Sequence, residues 1–402
     1  MISRALRCVP LAAAAMAVLL SGCLDRGPED LLGNTAPDPL SRQQWTILLS
    51  DSAGRAWIVQ SDSAFAVHEE PASAASASLW SVLDSAPDLT HLTLGATIRG
   101  REMEWSLANG AGVIGEGSGS LFAYVGSDGA PRFTGTATVT LSGVPRTLRF
   151  DALGGVPMPA EPVVMDARSR TAPGRTVVSL RADDCPAAES EVLRLLTKNG
   201  LTAEFAVPTR LVGRNGLRRC SWALVDTLAL AGNAIESHSR FHTAAPSDFA
   251  TFYLETVGAA RDLAARGHPP HIWVQPGTWL TGPAHLDGPD KLRTPYAALL
   301  RRVYIGIEAY AVPGTSLSYV QGGTSGPPVF YLKDFDLPAL RTLLDDVTSR
   351  PGPTWIEFMW HTGDEPLDRL GQLLGVIAEY RDRGALDVKP LYDAVLAGAT
   401  GH

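Results

Sequence analysis

The stretch 176-TVVSLRADDCPAAESEVLRLLTKNGLTAEFAVP-208 has the pattern of a strand, a helix and a second strand. The apolar runs at 176–182 and 201–208 have strand character, and the residues near 186–199 are typical of a helix. The same alternation continues downstream, with predicted strands at 233–238, 271–276, 302–310 and 354–361 and predicted helices near 221–231, 247–266, 337–349, 366–384 and 389–397. Strands that alternate with helices of this length indicate βα units and a parallel sheet. Six or so such units in about 220 residues favour a barrel over an open sheet, so we predict an α/β barrel over 176–398.

A different pattern precedes this region. Short runs with strand character fill 44–153, separated by Gly, Asn, Asp and Ser, and they predict a small antiparallel β domain, either a sandwich or a barrel. One segment, 77-ASLWSVLD-84, is predicted as a helix. Four tryptophans either belong to the core of this domain or line a sugar-binding face: Trp45, Trp57, Trp80 and Trp105. Residues 154–175 contain four prolines and are predicted as a linker.

The N-terminus has the features of a targeting segment. Arg4 and Arg7 precede an apolar run that is short for a membrane span, so residues 1–22 are predicted as a signal peptide. The end of this run, 20-LSGC-23, resembles the lipobox of bacterial lipoproteins. The resemblance implies that Cys23 is diacylated after cleavage and anchors the protein to a membrane of the cell envelope, with residues 23–43 as a tether. The alternative is an ordinary signal peptide with a chance cysteine.

The net charge limits the class of partner, and the cysteine content limits the possible disulfides. The formal net charge of −8 argues against a nucleic-acid partner, which usually requires a basic face. Of the four cysteines, Cys8 lies in the predicted leader and Cys23 in the lipobox. The remaining two, Cys185 and Cys220, form a disulfide in an oxidising compartment or remain two buried thiols.

Polar side chains follow three of the predicted barrel strands. Asp183 and Asp184 follow the first strand, His238 and His242 follow the third, and His361 ends the last. Because the carboxyl ends of barrel strands meet at one rim, we expect these five side chains to lie close together. Two imidazoles and one carboxylate, from His238, His242 and Asp184, are a donor set that holds a divalent metal and leaves positions open for water and substrate. Taken alone, each motif also fits a structural role, such as a helix cap.

Residues 176–395 resemble the polysaccharide deacetylase family, whose NodB-homology domain is also called carbohydrate esterase family four. The run from Arg181 to Cys185 corresponds to the family motif Thr-Phe-Asp-Asp-Gly, with Cys185 in place of the Gly. The run 238-HSRFH-242 matches the second motif, His-Ser/Thr-x-x-His, and 356-IEFMWH-361 matches an apolar strand that ends in His. The resemblance implies a distorted (β/α)7 barrel with one divalent metal, usually zinc.

Roles for the rim residues follow from the same resemblance. It implies that Asp184, His238 and His242 bind the metal, that Asp183 is the catalytic base and that His361 is the catalytic acid. Met359 lies two residues before the predicted acid, so strand alternation places it on the same face, where we expect it to face the acetyl methyl group.

The third family motif is only partly present. Pro276 and Gly277 match it, but the Arg that normally orients the base is absent, and Arg181 or Arg240 is the candidate replacement. We expect the segment around Gly277 to bind substrate. Three tryptophans near the rim either stack on sugar rings or belong to the core: Trp273, Trp279 and Trp360. The fourth motif, which normally supplies a carboxylate partner for the acid histidine, is not recognisable, and Asp334 and Asp336 are the candidates for that position.

Three functions compete on these observations. The first is a metal-dependent hydrolase that removes N- or O-linked acetyl groups from an envelope or extracellular polysaccharide. The second is a degenerate barrel that binds glycan or envelope partners without catalysis, which the missing Arg favours. The third is a metallohydrolase of non-sugar amides. The first is the prediction, because the complete set of two Asp and three His opposes the second.

Overall fold

The computed structural model describes residues 43–65, 73–82, 89–125, 130–158, 175–214, 218–243, 246, 248–277, 294–309, 317–320, 328–352 and 354–396. The predicted signal peptide, Cys23, the tether and Trp279 lie outside the described residues. Two compact units are present, an N-terminal all-β unit and a C-terminal α/β unit. No helix in the described ranges is long and apolar enough to cross a membrane.

The N-terminal unit is a closed barrel of eight strands in which chain neighbours pair. The strands are β1 (Trp45–Ser50), β2 (Ala56–Ser61), β3 (Ser73–Ser81), β4 (Leu89–Arg99), β5 (Glu102–Asn109), β6 (Gly112–Val125), β7 (Ala130–Leu141) and β8 (Val144–Gly154). Pairing from β3 to β8 is antiparallel throughout. Of the two architectures that the sequence left open, the structure is therefore the barrel.

The four tryptophans in the strands of the closed barrel are buried. Trp45, Trp57, Trp80 and Trp105 are all buried, so they do not form a sugar-binding face. Trp105 depends on a glycine on the adjacent strand, since a Cβ atom at Gly117 would lie 2.6 Å from the Trp105 Nε1 atom.

The helix predicted at 77–84 is wrong. Its first five residues lie in strand β3, where Ala77 and Leu79 are fully buried and Ser78 is not. This period of two matches one buried face of a strand. Pairing with β4 therefore outweighs the helix propensity of the alanines, as tertiary context commonly does.

The C-terminal unit is built on a nine-stranded sheet. Its strands are β9 (Thr176–Asp183), β10 (Glu204–Val207), β11 (Ala234–Ser237), β12 (Ile272–Val274), β13 (Gly306–Ala309), β14 (Leu317–Val320), β15 (Val329–Tyr331), β16 (Trp355–His361) and β17 (Leu386–Val388). Seven of them form a parallel series in the order β15, β16, β9, β10, β11, β12, β13. Strand β14 pairs antiparallel with β13, and β17 pairs with the start of β9. The predicted α/β class with a distorted (β/α)7 barrel is confirmed.

Seven α-helices lie in the described part of this unit. They are α1 (Glu189–Lys198), α2 (Trp222–Leu230), α3 (Phe249–Ala264), α4 (Pro295–Val303), α5 (Leu337–Ser349), α6 (Leu367–Asp382) and α7 (Leu391–Leu396). Side chains of Ser221, Asp248, Thr294 and Asp336 accept hydrogen bonds from backbone N–H groups and cap α2, α3, α4 and α5. The predicted strand at 302–310 is too long at its start, because α4 continues to Val303 and β13 begins at Gly306.

Side chains alternate between two environments along the central strands. Val178 and Leu180 of β9 join the large core cluster that also contains helix residues such as Leu196 of α1. The intervening Val177 joins a separate cluster with Trp355, inside the barrel. This alternation is the period of two expected for a strand. It places Arg181 and Asp183 on the interior face, at the carboxyl end of β9.

Candidate metal and catalytic site

The segment after β9 turns sharply. Asp184 and Cys185 have φ values of 77° and 45°, in the left-handed region that costs a non-glycine residue roughly 1–2 kcal/mol. A disulfide between Cys185 and Cys220 and a hydrogen bond from the Cys220 N–H to the Cys185 carbonyl (2.7 Å) hold the turn. The Arg219 guanidinium donates to the Asp184 carbonyl at 2.6 Å. Of the two states predicted for these cysteines, the structure contains the disulfide.

A second strained turn carries the two histidines. Ser239 and His242 have φ values of 67° and 62°. Glu255, from α3, accepts hydrogen bonds from the backbone N–H groups of Arg240 (3.0 Å) and Phe241 (2.9 Å) inside this turn. Burial raises the pKa of Glu255, and hydrogen bonds from Phe241, Ser239 and Thr243 act in the opposite direction. The sequence analysis missed Glu255, since its distance along the chain from the turn left no motif to identify it.

Asp184, His238 and His242 come together as predicted. Their candidate ligand atoms all lie within 4.8 Å of one another. Asp184 Oδ1 lies 2.9 Å from His242 Nε2 and 3.6 Å from His238 Nε2. Among the described residues, the buried Nε2 atom of His238 has no hydrogen-bond partner. A buried polar atom of this kind needs a partner, and a divalent cation between the three side chains would provide it.

Two further contacts prepare these groups to bind a cation. The Nδ1 atom of His238 lies 3.1 Å from the carbonyl oxygen of Val274, so Nδ1 carries the proton and Nε2 presents its lone pair to the site. Burial raises the pKa of Asp184, but the neighbouring imidazoles of His238 and His242 outweigh this effect, so this pKa lies well below its usual value. The three side chains therefore fit a divalent metal.

Asp183 lies beside this cluster and has an arginine partner. It is fully buried, and its Oδ1 atom lies 2.8 Å from the Nε atom of Arg181. Arg240, the other candidate replacement for the missing third-motif Arg, instead pairs with Asp262 at 3.0 Å. Of the two candidates, Arg181 is thus the one in contact with Asp183.

His361 lies next to Asp183 on the neighbouring strand β16. The two residues are register partners in the parallel pairing of β16 with β9. His361 Nδ1 lies 3.5 Å from Asp364 Oδ2, and Lys333 Nζ contacts the same Asp364 oxygen at 3.0 Å. The carboxylate beside His361 is therefore Asp364, which the sequence analysis missed. Asp336, one of the two candidates for this position, caps α5 through a hydrogen bond from the Ala339 N–H.

Of the residues predicted to bind substrate, some lie at the rim and others are buried. Pro276 and Gly277 follow β12 at the same rim as His238. Met359 is fully buried and packs against Val329 and Tyr331. Trp273 and Trp360 are buried as well, so the sugar-stacking alternative for these two is wrong. They occupy the alternate positions of their strands, which face the helices.

A family comparison agrees with this geometry. Residues 170–277 match the family model described as polysaccharide deacetylase. This part of the chain is similar to polysaccharide deacetylases. The matched region contains Asp183, Asp184, His238 and His242 and ends at Gly277, whereas His361 lies beyond it. The family indicates a hydrolase that acts on acetylated polysaccharide. A comparison with curated proteins finds no match.

Several solved structures are similar to this chain. A family 4 carbohydrate esterase from Streptomyces lividans in complex with acetate is 18% identical, with a TM-score of 0.34, and the match covers 54% of this chain and 93% of that chain. A peptidoglycan deacetylase from Bacillus subtilis, PdaC, is 13% identical, with a TM-score of 0.36 and coverage of 58% and 94%. A family 4 pseudoenzyme from Bacillus anthracis is 16% identical, with a TM-score of 0.37 and coverage of 56% and 67%.

A further buried carboxyl group lies near Asp183 and Asp184 in the C-terminal unit. Glu189, the first residue of α1, is fully buried, and the Thr362 hydroxyl donates a hydrogen bond to its Oε1 atom at 3.0 Å. Burial raises the pKa of Glu189 to about 8, the hydrogen bond from Thr362 lowers it, and the charges of Asp183 and Asp184 raise it. Glu189 is therefore protonated at neutral pH in the metal-free domain.

This raised pKa predicts a pH-dependent stability. The unfolded-state pKa of about 4.5 lies below the folded value, so the contribution of Glu189 to stability is complete below pH 4.5 and is lost as the pH rises through 8. Glu189→Gln keeps the neutral side chain and removes the titration. In chelator-treated protein, the free energy of unfolding of this variant relative to the parent should increase by on the order of 1 kcal/mol per pH unit between pH 5 and 8. A difference in the free energy of unfolding between variant and parent that does not change with pH would contradict the assignment.

Proposed function

We propose that this protein is a metal-dependent hydrolase that removes N- or O-linked acetyl groups from an envelope or extracellular polysaccharide. The observation that carries the proposal is the Asp184, His238 and His242 cluster, with Asp183 on one side of it and His361 on the register-paired strand. A base, an acid and a metal-binding set at one rim are the groups that acyl hydrolysis requires.

Zinc is the metal that we propose for this site. Two imidazoles and one carboxylate are a common catalytic donor set for zinc, with open coordination positions left for water and substrate. When bound, such a cation lowers the pKa of water and polarises a carbonyl group.

The protein side chains then supply the proton transfers. Asp183 takes a proton from the water that attacks the acetyl carbonyl carbon. The C–N or C–O bond to the sugar breaks as His361 donates a proton to the leaving nitrogen or oxygen. The products are acetate and a sugar with a free amine or hydroxyl group. Asp364, beside His361 Nδ1, orients the imidazole so that Nε2 is free for this transfer.

The environment of Asp183 argues against the alternative function, a degenerate barrel that binds glycan or envelope partners without catalysis. That alternative was favoured by the absence of the third-motif Arg. Because Arg181 contacts Asp183, the candidate base keeps a cationic partner, and the main argument for a site without catalysis is weakened. Hydrolysis of non-sugar amides remains the second candidate function, since the third motif around Pro276 and Gly277 lacks its usual Arg.

We further propose that the protein is anchored by lipid at Cys23 to a membrane of the bacterial envelope. Support comes from 20-LSGC-23 and the apolar run before it. An envelope location would place the hydrolase beside acetylated polysaccharide.

The first test of the proposed function is the metal content of the soluble protein from residue 24 onward. Mass spectrometry should find close to one equivalent of zinc in the parent and a large loss in His238→Ala, which removes a ligand. His268→Ala is the matched control, because His268 pairs with Asp226 away from the rim and should retain the metal. Acetate release from a panel of N- and O-acetylated glycans follows in the same samples. A parent that binds no zinc after reconstitution would contradict the proposal.

A further inference from the structure

Arg181 occupies an unusual position for a cation. It is fully buried on the interior face of β9, two residues before Asp183 and on the same side of the strand. Its Nε atom lies 2.8 Å from Asp183 Oδ1. Its Nη1 atom contacts Glu308 of β13 and lies 3.2 Å from Glu357 of β16. One guanidinium group thus joins three carboxylates from three strands.

We propose that Arg181 is the residue that positions Asp183, and that this contact within β9 replaces the arginine that the third motif of this chain lacks. The inference rests on the proposed function, because it assigns Asp183 the role of base. Arg181 itself does not reach the reacting atoms. It acts by fixing the Oδ1 end of the Asp183 carboxylate.

The geometry of the contact explains why an arginine is required. A guanidinium group is planar, and its donors point in fixed directions. Ion pairs of Nη1 with Glu308 and Glu357 keep the guanidinium group in place, with Nε 2.8 Å from Asp183 Oδ1. Lysine offers a single charged atom, which cannot meet Asp183 and the two glutamates in the same way.

A simpler role would be to neutralise the buried glutamates. Burying a carboxylate without a cation is costly, and Glu308 and Glu357 are both buried. The two roles are separable, because the glutamates contact Nη1 and Asp183 contacts Nε. Removing the glutamate charges makes the neutralising role unnecessary and leaves the positioning role in place.

The test therefore compares two variants that both lack the two glutamate charges. The reference is Glu308→Gln with Glu357→Gln, which keeps Arg181 beside Asp183. The second variant adds Arg181→Met, so no excess of buried glutamate charge opposes its folding. Zinc content, thermal unfolding, and kcat and KM are measured for both. The substrates are 4-nitrophenyl acetate, which requires no sugar subsite, and an acetylated glycan.

Positioning predicts a specific pattern. Relative to the reference, the variant with Arg181→Met should lose about 100-fold in kcat for 4-nitrophenyl acetate, the size of effect that a misplaced catalytic group produces. Its KM should stay within about threefold and its zinc content at the reference value, because the metal ligands are unchanged. Arg181→Lys in the otherwise unchanged protein should also lose most of kcat.

The opposing outcomes are distinct. Equal kcat values in the two variants that lack the glutamate charges would show that Arg181 only neutralises the glutamates. Loss of zinc together with kcat would show that Arg181 builds the metal site, which also overturns the proposal. Cleavage of 4-nitrophenyl acetate that depends on Arg181, without acetate release from any glycan, would support positioning while contradicting the proposed substrate.

Discussion

Asp183→Asn is expected to reduce the kcat for acetate release by about 10²–10⁴-fold, the usual contribution of a general base. An amide has the shape of the carboxylate but cannot take the proton from the attacking water. The proposed metal ligands Asp184, His238 and His242 are unchanged in this variant, so zinc content should remain near one equivalent. Arg181 keeps its contacts with Glu308 and Glu357, and the variant should therefore fold.

The matched control for this substitution is Asp226→Asn. Asp226 is exposed and pairs with His268 at 2.7 Å, away from the rim, so its kcat should stay within about twofold of the parent, as for most surface changes. Measuring acetate release and zinc content in both variants separates chemistry from metal loss. If Asp183→Asn keeps more than a tenth of the parental kcat, Asp183 is not the base.

The central site was predictable from the sequence because parallel strands impose a simple rule. Side chains that directly follow β9 and β11, or that end β16, must meet at one rim. The positions of Asp183, His238 and His361 relative to the strands therefore carried most of the information. The choice between Arg181 and Arg240 was also implicit in strand geometry, since residues two apart on a strand share a face.

The supporting residues were not predictable, for a physical reason. Glu255 and Glu189 act through contacts that depend on how a helix returns to the rim, and no local spacing encodes that return. Glu255 is the clearest case. It reaches the His238–His242 turn from the second turn of α3 and satisfies two backbone N–H groups there.

The incorrect prediction of a helix at 77–84 also arises from contacts that are distant in the sequence. Alanine and leucine favour helices in isolation, whereas Leu79 is buried by its pairing with β4. Burial in the closed barrel decides the conformation of this segment. The burial depends on pairing with β4, which lies outside the residues 77–84 on which the helix prediction was based.

The disulfide is expected to have the largest effect on stability. Cys185→Ser with Cys220→Ser opens a link across a separation of 35 residues. Loop-closure entropy then predicts a loss of about 4 kcal/mol in the free energy of unfolding. Zinc affinity should fall by about tenfold as well, because Cys185 and its neighbour Asp184 have left-handed backbone angles. Without the link, the cost of such angles, about 1–2 kcal/mol for a non-glycine residue, favours a relaxed turn that displaces Asp184.

A second double variant separates these two effects. In Cys185→Gly with Cys220→Ser, the disulfide is also absent, but glycine adopts a φ of 45° without steric cost. The motif of the polysaccharide deacetylase family has glycine at this position. Chemical denaturation should show a loss of stability in both double variants, whereas zinc titration should show near-parental affinity only in the glycine variant. Equal zinc affinity in the serine and glycine variants would mean that the disulfide stabilises the fold without shaping the metal site. A selective rescue by glycine would mean that this chain uses a covalent link to hold a conformation that glycine adopts freely.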